Sequence, residues 1–256
     1  MTDEQPEISA SPIHPLLAAV LSKGTQVHTD ADAINEALVL DDLESLRQIL
    51  ERGAEKENVL NPTDSVLWTP LEVAARRGNR EAMQLLLAPG AVVSCHSRYC
   101  GGPLFAAIED GQEEAVDFLL EHGADMHARD ESGWTTLISA IWWSGEARHM
   151  DRFAGAAYRA VVQKLIAAGT DIEARAEVAL SQRSPLQVAV SNSCPDPEMV
   201  KLLIAHGVDV HASDAQGWTA YRLAQRHVEA LIEKGYEPGL ERVEVLRILE
   251  AYLPKP

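Results

Sequence analysis

The tightest constraint on this chain is a stretch whose apolar residues cannot be buried within the stretch itself. Residues 102–137 read GPLFAAIEDGQEEAVDFLLEHGADMHARDESGWTTL. Two short helical patterns are visible, with a glycine between them and another after the second. Leu104, Ala106, Ala107 and Ile108 line the first pattern, and Ala115, Val116, Leu119 and Leu120 line the second. Spacing of i, i+3, i+4 gives each helix one apolar stripe. A pair of such helices leaves its stripes half exposed unless similar pairs stack on either side.

Further pairs exist. A glycine ends the second pattern at Gly53, Gly90, Gly123, Gly169 and Gly207, each after an aliphatic pair: Ile49-Leu50, Leu86-Leu87, Leu119-Leu120, Leu165-Ile166 and Leu203-Ile204. The first pattern opens at Asp32-Ala33-Ile34, Thr69-Pro70-Leu71, Gly102-Pro103-Leu104, Thr135-Thr136-Leu137 and Ser184-Pro185-Leu186. A sixth opening, Thr219 to Ala224, is closed by Val245, Ile248 and Leu249. Proline at the first helical position pre-sets the helix, and glycine past its end supplies a left-handed cap. Asp64, Asp130 and Asp214 sit where a β-turn would follow an extended link. Self-similarity at this period marks a solenoid in which each unit is stabilised by its neighbours.

The passages WTPLEVAARRGNREAMQLLL and LLEHGADMHARDESGWTTL resemble the ankyrin-repeat family over about residues 30–252. The resemblance implies an all-α solenoid of stacked helix-turn-helix units joined by short β-turn or hairpin links. It gives repeats at about 32–64, 65–97, 98–130, 131–179, 180–213 and 214–252; before them, the polar, acidic composition of 1–13 gives a tail, and the apolar PLLAAVL with Pro15 and Gly24 gives an N-terminal capping helix over 14–29. Residues 253–256 form a second tail. Where the family usually has His after the Leu of the opening motif, this chain has Asn35, Glu72, Phe105, Ile138, Gln187 and Arg222. The associated hydrogen bonds are therefore expected to be mostly absent. Repeats four and six carry extra residues, near 144–158 and 229–243, which either contact a partner or lengthen and brace helices.

Charge narrows the function classes. A net charge of −17 disfavours nucleic acid, which is bound through surplus Lys and Arg, and it disfavours an anionic membrane surface. It permits a basic protein partner. The three cysteines do not form a disulfide framework, and no secretory or membrane-spanning pattern is present, so a cytoplasmic protein is expected. Motifs for nucleophilic, nucleotide-dependent or zinc-protease chemistry are missing, so no enzyme activity and no cofactor are expected. Cys95, His96 and Cys100 are too few for a tetrahedral zinc site. Structural roles cover His122, His127, His206 and His211, so no metal is expected.

Surface remains. By the family resemblance, partners dock on a concave face built from turn tips and first helices. The tip position holds Trp68, Trp134 and Trp218; the groove positions include Arg76, Arg77, Glu109, Asp110, Trp142 and Trp143, with Glu131 at the rim. All five tryptophans of a chain with 5% aromatic residues fall on positions that this geometry turns outward or toward the groove. Trp and Arg concentrate at interface hot spots, though the indoles could instead pack on neighbouring tips or under the 144–158 insertion. The expectation is a monomeric, non-enzymatic module that binds a basic protein in an acidic, Trp-containing groove, as an inhibitor or immunity protein of a toxin or as a scaffold.

Overall fold

The structure, a computed structural model, describes residues 30–52, 59–61, 68–94, 101–150, 155–177 and 182–253. The expected tails and capping helix, Gly53, Asp64 and the Cys95-His96-Cys100 cluster lie outside the described residues, apart from Leu253. Among the described residues, twelve α-helices with defined bounds follow one another in pairs. They are α1 Asp30–Val39 with α2 Leu43–Glu51, α3 Pro70–Arg76 with α4 Arg80–Leu87, and α5 Pro103–Glu109 with α6 Glu113–Glu121. Then come α7 Thr136–Met150 with α8 Gly155–Ala168, α9 Pro185–Ser191 with α10 Pro197–Ala205, and α11 Ala220–Glu233 with α12 Leu240–Glu250. We refer to the pairs as repeats one to six. First helices pack on first helices in the order α1, α3, α5, α7, α9, α11, which makes an all-α repeat solenoid.

The core runs through the stack without a break, from Ile34, Leu46 and Leu71 through Ile108, Leu119 and Leu165 to Leu203 and Leu249. Each apolar stripe is covered by the neighbouring pairs, so stability accumulates between neighbours. Caps fix the ends. After α6, Gly123 adopts φ +87°, its N–H reaches Leu120 O at 3.1 Å, and Ala124 N–H reaches Leu119 O at 2.9 Å. This is a Schellman closure, and Ala124 is buried beneath it. Gly207 repeats it at φ +89° with Val208.

The links are turns, with isolated bridges Arg129–Thr135 and Ser213–Thr219. Asp130 Oδ1 accepts from the backbone of Ser132 and Trp134, both at 2.9 Å, and Asp214 Oδ1 accepts from Gln216 and Trp218 at the same distance. Arginines then lash adjacent turns together. Arg129 donates to Gly133 O and Arg175 O, each at 2.8 Å, and Arg175 donates to Ser213 O at 2.8 Å.

The structure shows what stands in for the missing histidines and what the extra residues form. The hydrogen bonds thought absent with histidine are replaced in repeats two and five by capping boxes. Thr69 N–H donates to Glu72 Oε2 at 2.7 Å, and Glu72 N–H donates back to Thr69 Oγ1 at 3.2 Å. Ser184 and Gln187 form the same reciprocal pair, and Gln187 Nε2 also donates to Ala212 O and Trp218 O of the next turn. Both side chains are almost fully buried, so these bonds are shielded from competing water. Among the described residues, the extra residues of repeats four and six mainly lengthen helices: α7 and α8 have 15 and 14 residues against 7 and 9 for α5 and α6, and α11 has 14, followed by a non-helical connection over 234–239.

Candidate functional site

Arg76, the last residue of α3, organises the region that the sequence singles out. Its guanidinium stacks 4.2 Å over the ring of Trp68, which stands just before the Thr69 cap. It also pairs with Glu109 and, at 3.3 Å, with Asp110 at the end of α5. Only 13% of the Arg76 side chain is exposed. A flat cation between an indole face and two carboxylates uses both features that distinguish Arg from Lys, stacking and a planar fork of donors.

Glu109 sits deeper than a groove carboxylate was expected to. Burial pushes its pKa up to about 7, against the pull of Arg76, and the nearby charges of Asp110 and Asp130 raise it further. Tyr158 contributes from the lengthened α8: its hydroxyl donates to Glu109 O at 2.6 Å, and its ring lies against Gly111, where an added Cβ would come within 3.2 Å. The same burial and carboxylates hold the Tyr158 phenol well above its usual range. The repeat-four extension thus braces the site from behind. It also braces repeat five, where Glu146 accepts from Ser193 Oγ at 3.0 Å and Arg148 and Arg159 hold the buried Asp196.

The chain of contacts continues through the turn. Asp130, whose charge is felt at Glu109, caps the backbone of Trp134. The Trp134 ring meets Trp142 of α7 edge to face, with centroids 5.1 Å apart at 63°. The strip across repeats two to four thus consists of two clusters, Trp68, Arg76, Glu109 and Asp110 in one and Trp134 with Trp142 in the other, with the charge of Asp130 between them. Trp143 is half-buried on the same helix, Arg77 is exposed beyond Arg76, and Glu131 is exposed at the turn. Trp218 belongs elsewhere, in repeat six, under Arg226 at 5.1 Å.

The expectation that all five indoles face outward or toward the groove is too simple. All five are partly buried and pack against the core, because a tip indole finds apolar surface on its own and the next repeat. Nor is the strip an open acidic surface at Glu109, since Arg76 occupies that carboxylate. The sequence reading missed both Arg76 as the bridge and Tyr158 as the brace. The first was findable: Arg76 and Glu109 are 33 residues apart, one repeat period, and so stack in register.

Nothing in this strip resembles catalytic machinery. Its raised carboxylate faces a guanidinium and not an open pocket. A cleft on the outer helices, lined by residues including Glu113, Asp117, Leu120 and Lys164, is spanned by Lys164, which both carboxylates hold above its usual pKa. Among the described residues no His, Cys, Asp and Glu group could hold a metal ion, and no helix is long and apolar enough to cross a membrane.

Comparison with known proteins agrees with this architecture. A family model for ankyrin repeats, described as three copies, matches residues 71–150 and 153–242. Over 166 residues, 64% of this chain, the sequence is 26% identical to a putative ankyrin repeat protein of fowlpox virus, of which 44% is covered. It is 26% identical to the mouse (Mus musculus) B-cell lymphoma 3 protein homolog over 89% of this chain and 49% of that protein. It is 25% identical to chicken (Gallus gallus) NF-kappa-B inhibitor alpha over 82% of this chain and 63% of that protein. The chain thus spans about half the length of these relatives. Repeats of this kind are generally non-enzymatic modules for protein–protein interaction, and this chain belongs to the ankyrin-repeat family.

Proposed function

We propose that the strip from Trp68 to Trp143 is the docking face for a basic segment of a protein partner, and that binding inhibits that partner. The observation that carries the proposal is the geometry of the strip. Partly buried indoles, Trp142 and Trp143 on α7 and Trp68 and Trp134 in the links, adjoin carboxylates whose positions are set by Arg76, Tyr158 and the Asp130 turn. Such preorganisation leaves little side-chain entropy to lose on binding. Asp110, with 37% of its side chain exposed, and Glu131 supply charge toward the partner, and the −17 net charge steers a basic molecule into place.

Inhibition is favoured over scaffolding by one further point: a relative that covers most of this chain is named as an inhibitor. An immunity protein that covers a basic toxin surface is the sharpest form of this reading. Cytoplasmic location and a monomeric free state complete it.

The partner, isolated from the native host by co-purification, should bind with an affinity that falls steeply as salt is raised. Replacing Trp142 and Trp143 together by Ala should weaken binding by about 2–4 kcal/mol with helicity retained. Affinity that does not respond to salt would remove the charge component. A double variant that loses its cooperative unfolding transition would assign those rings to the core instead.

A further inference from the structure

Exposed large apolar side chains are unevenly spread over this molecule. Of the seven among the described residues, Ile232, Tyr236, Leu240, Tyr252 and Leu253 belong to the end of the chain that includes repeat six. Three of them meet at one place, the tip where α11 turns into α12: Ile232 is 59% exposed, Tyr236 65% and Leu240 86%. The equivalent tip in repeat three, between Glu109 and Glu113, carries no large apolar side chain.

The tip is ordered by its own backbone. Gly235 takes φ +78°, its N–H reaches Ile232 O at 2.9 Å, and Tyr236 N–H reaches Leu231 O at 2.9 Å. In this closure the residue at the Tyr236 position usually packs back on the last turn of the helix. Here the ring remains mostly in solvent. The apolar display is therefore a fixed feature of the extended hairpin and does not cover the end of the core.

Charge identifies the occupant. Over residues 229–250 six acids face three bases. Two of those bases are engaged, Arg242 on the backbone carbonyl of Asn192 at 3.2 Å and Arg247 on Glu244 at 3.9 Å. Glu233 and Glu237 flank the apolar trio and make no ion pair among the described residues. A second copy of this chain would bring the same acids against each other, and an anionic lipid surface would be repelled likewise. An apolar centre within an acidic rim suits a helix with one apolar face and flanking Lys or Arg.

We infer that the tip of repeat six is a second docking surface, separate from the Trp68–Trp143 strip, which captures a basic amphipathic helix of a protein partner through Ile232, Tyr236 and Leu240. The test uses the full chain and a short synthetic helix bearing leucines on one face and lysines on the other. A companion peptide has serine in place of each leucine. Fluorescence anisotropy should show the leucine peptide binding at least tenfold more tightly than the serine one. Replacing Ile232, Tyr236 and Leu240 by Ser should remove that advantage, while Trp142→Ala with Trp143→Ala should leave it intact.

Equal binding of the leucine peptide to the native chain and the Ser variant would overturn the proposal. Loss of the advantage only in the Trp variant would overturn it too, placing capture on the strip. So would sedimentation showing a dimer that the Ser substitutions dissociate, or recruitment of the native chain to lipid vesicles that the same substitutions abolish. Circular dichroism of the Ser variant should match the native chain, because none of the three side chains is in the core.

Discussion

In repeat three the helices are 7 and 9 residues long, and Phe105, Ile108, Phe118 and Leu119 are all at most 1% exposed. In repeat six they are 14 and 11 residues long, yet the buried set is confined to Ala220, Leu223, Ala224, Val245 and Leu249. More helix buries less core. Among the described helices, repeat three packs against repeats two and four, whereas repeat six packs against repeat five, and its additional turns extend past that contact. Length in a solenoid contributes to stability only where a neighbouring repeat covers it. Turns beyond that limit can serve as surface.

The largest expected effect sets the two repeats directly against each other. Leu119→Ala should lower stability by about 2–5 kcal/mol and shift the main unfolding transition, because the cavity opens between three repeats. Leu249→Ala should instead loosen repeat six alone, seen as faster amide exchange in α11 and α12 with α5 and α6 still protected. Uniform exchange throughout the chain in both variants would erase the distinction.

Next comes pH. Folding raises the Glu109 pKa from an ordinary 4.5 to about 7, so it favours the protonated carboxyl. The resulting stabilisation is complete below about pH 4.5 and disappears as pH rises through about 7. Glu109→Gln should flatten this part of the stability profile, a change on the order of 3 kcal/mol across the window. A profile with the same slope in the variant would show that Arg76 balances the burial. No counterpart is expected in repeat six, where Arg226 stands in the register of Glu109.

A smaller contrast concerns the residue after the opening Leu. Gln187→Ala should cost about 2 kcal/mol in a denaturant titration, since Ser184 N–H, Ala212 O and Trp218 O would all lose a buried partner. Arg222→Ala, at the same register in repeat six, should change stability by less than about 0.5 kcal/mol because its side chain is exposed. Similar losses at both positions would mean that the cap backbone, common to both, supplies the stabilisation.

Much of the fold was legible in the sequence. Aliphatic pairs before glycine, proline after the cap residue and aspartate four residues before the tip tryptophan are short-range signals, and each acts within a few residues of its position. The site was legible only in part. Trp68, Arg76, Glu109, Asp110, Trp134 and Trp142 were picked out as neighbours by register, but their mutual contacts were not. Whether a groove residue faces a partner or a neighbour is decided by side-chain reach, which the pattern of apolar positions does not encode. Repeat four shows the same limit: from the sequence its extra residues could contact a partner or lengthen and brace helices, and only α7 and α8 show them bracing their neighbours.

By itself, the sequence determined a solenoid of helix pairs, where the regular helices open and are capped, and which residues share a register. These follow from local backbone chemistry and from apolar stripes that only stacking can bury. The tertiary structure decided that Arg76 joins Trp68 to Glu109 and Asp110, that Tyr158 supports them, and that Glu109 titrates near neutrality. It also decided that the tip of repeat six displays Ile232, Tyr236 and Leu240. The reason is common to all of these: burial, ion pairing and exposure depend on what lies across the interface between repeats, and that is settled only when the repeats stack.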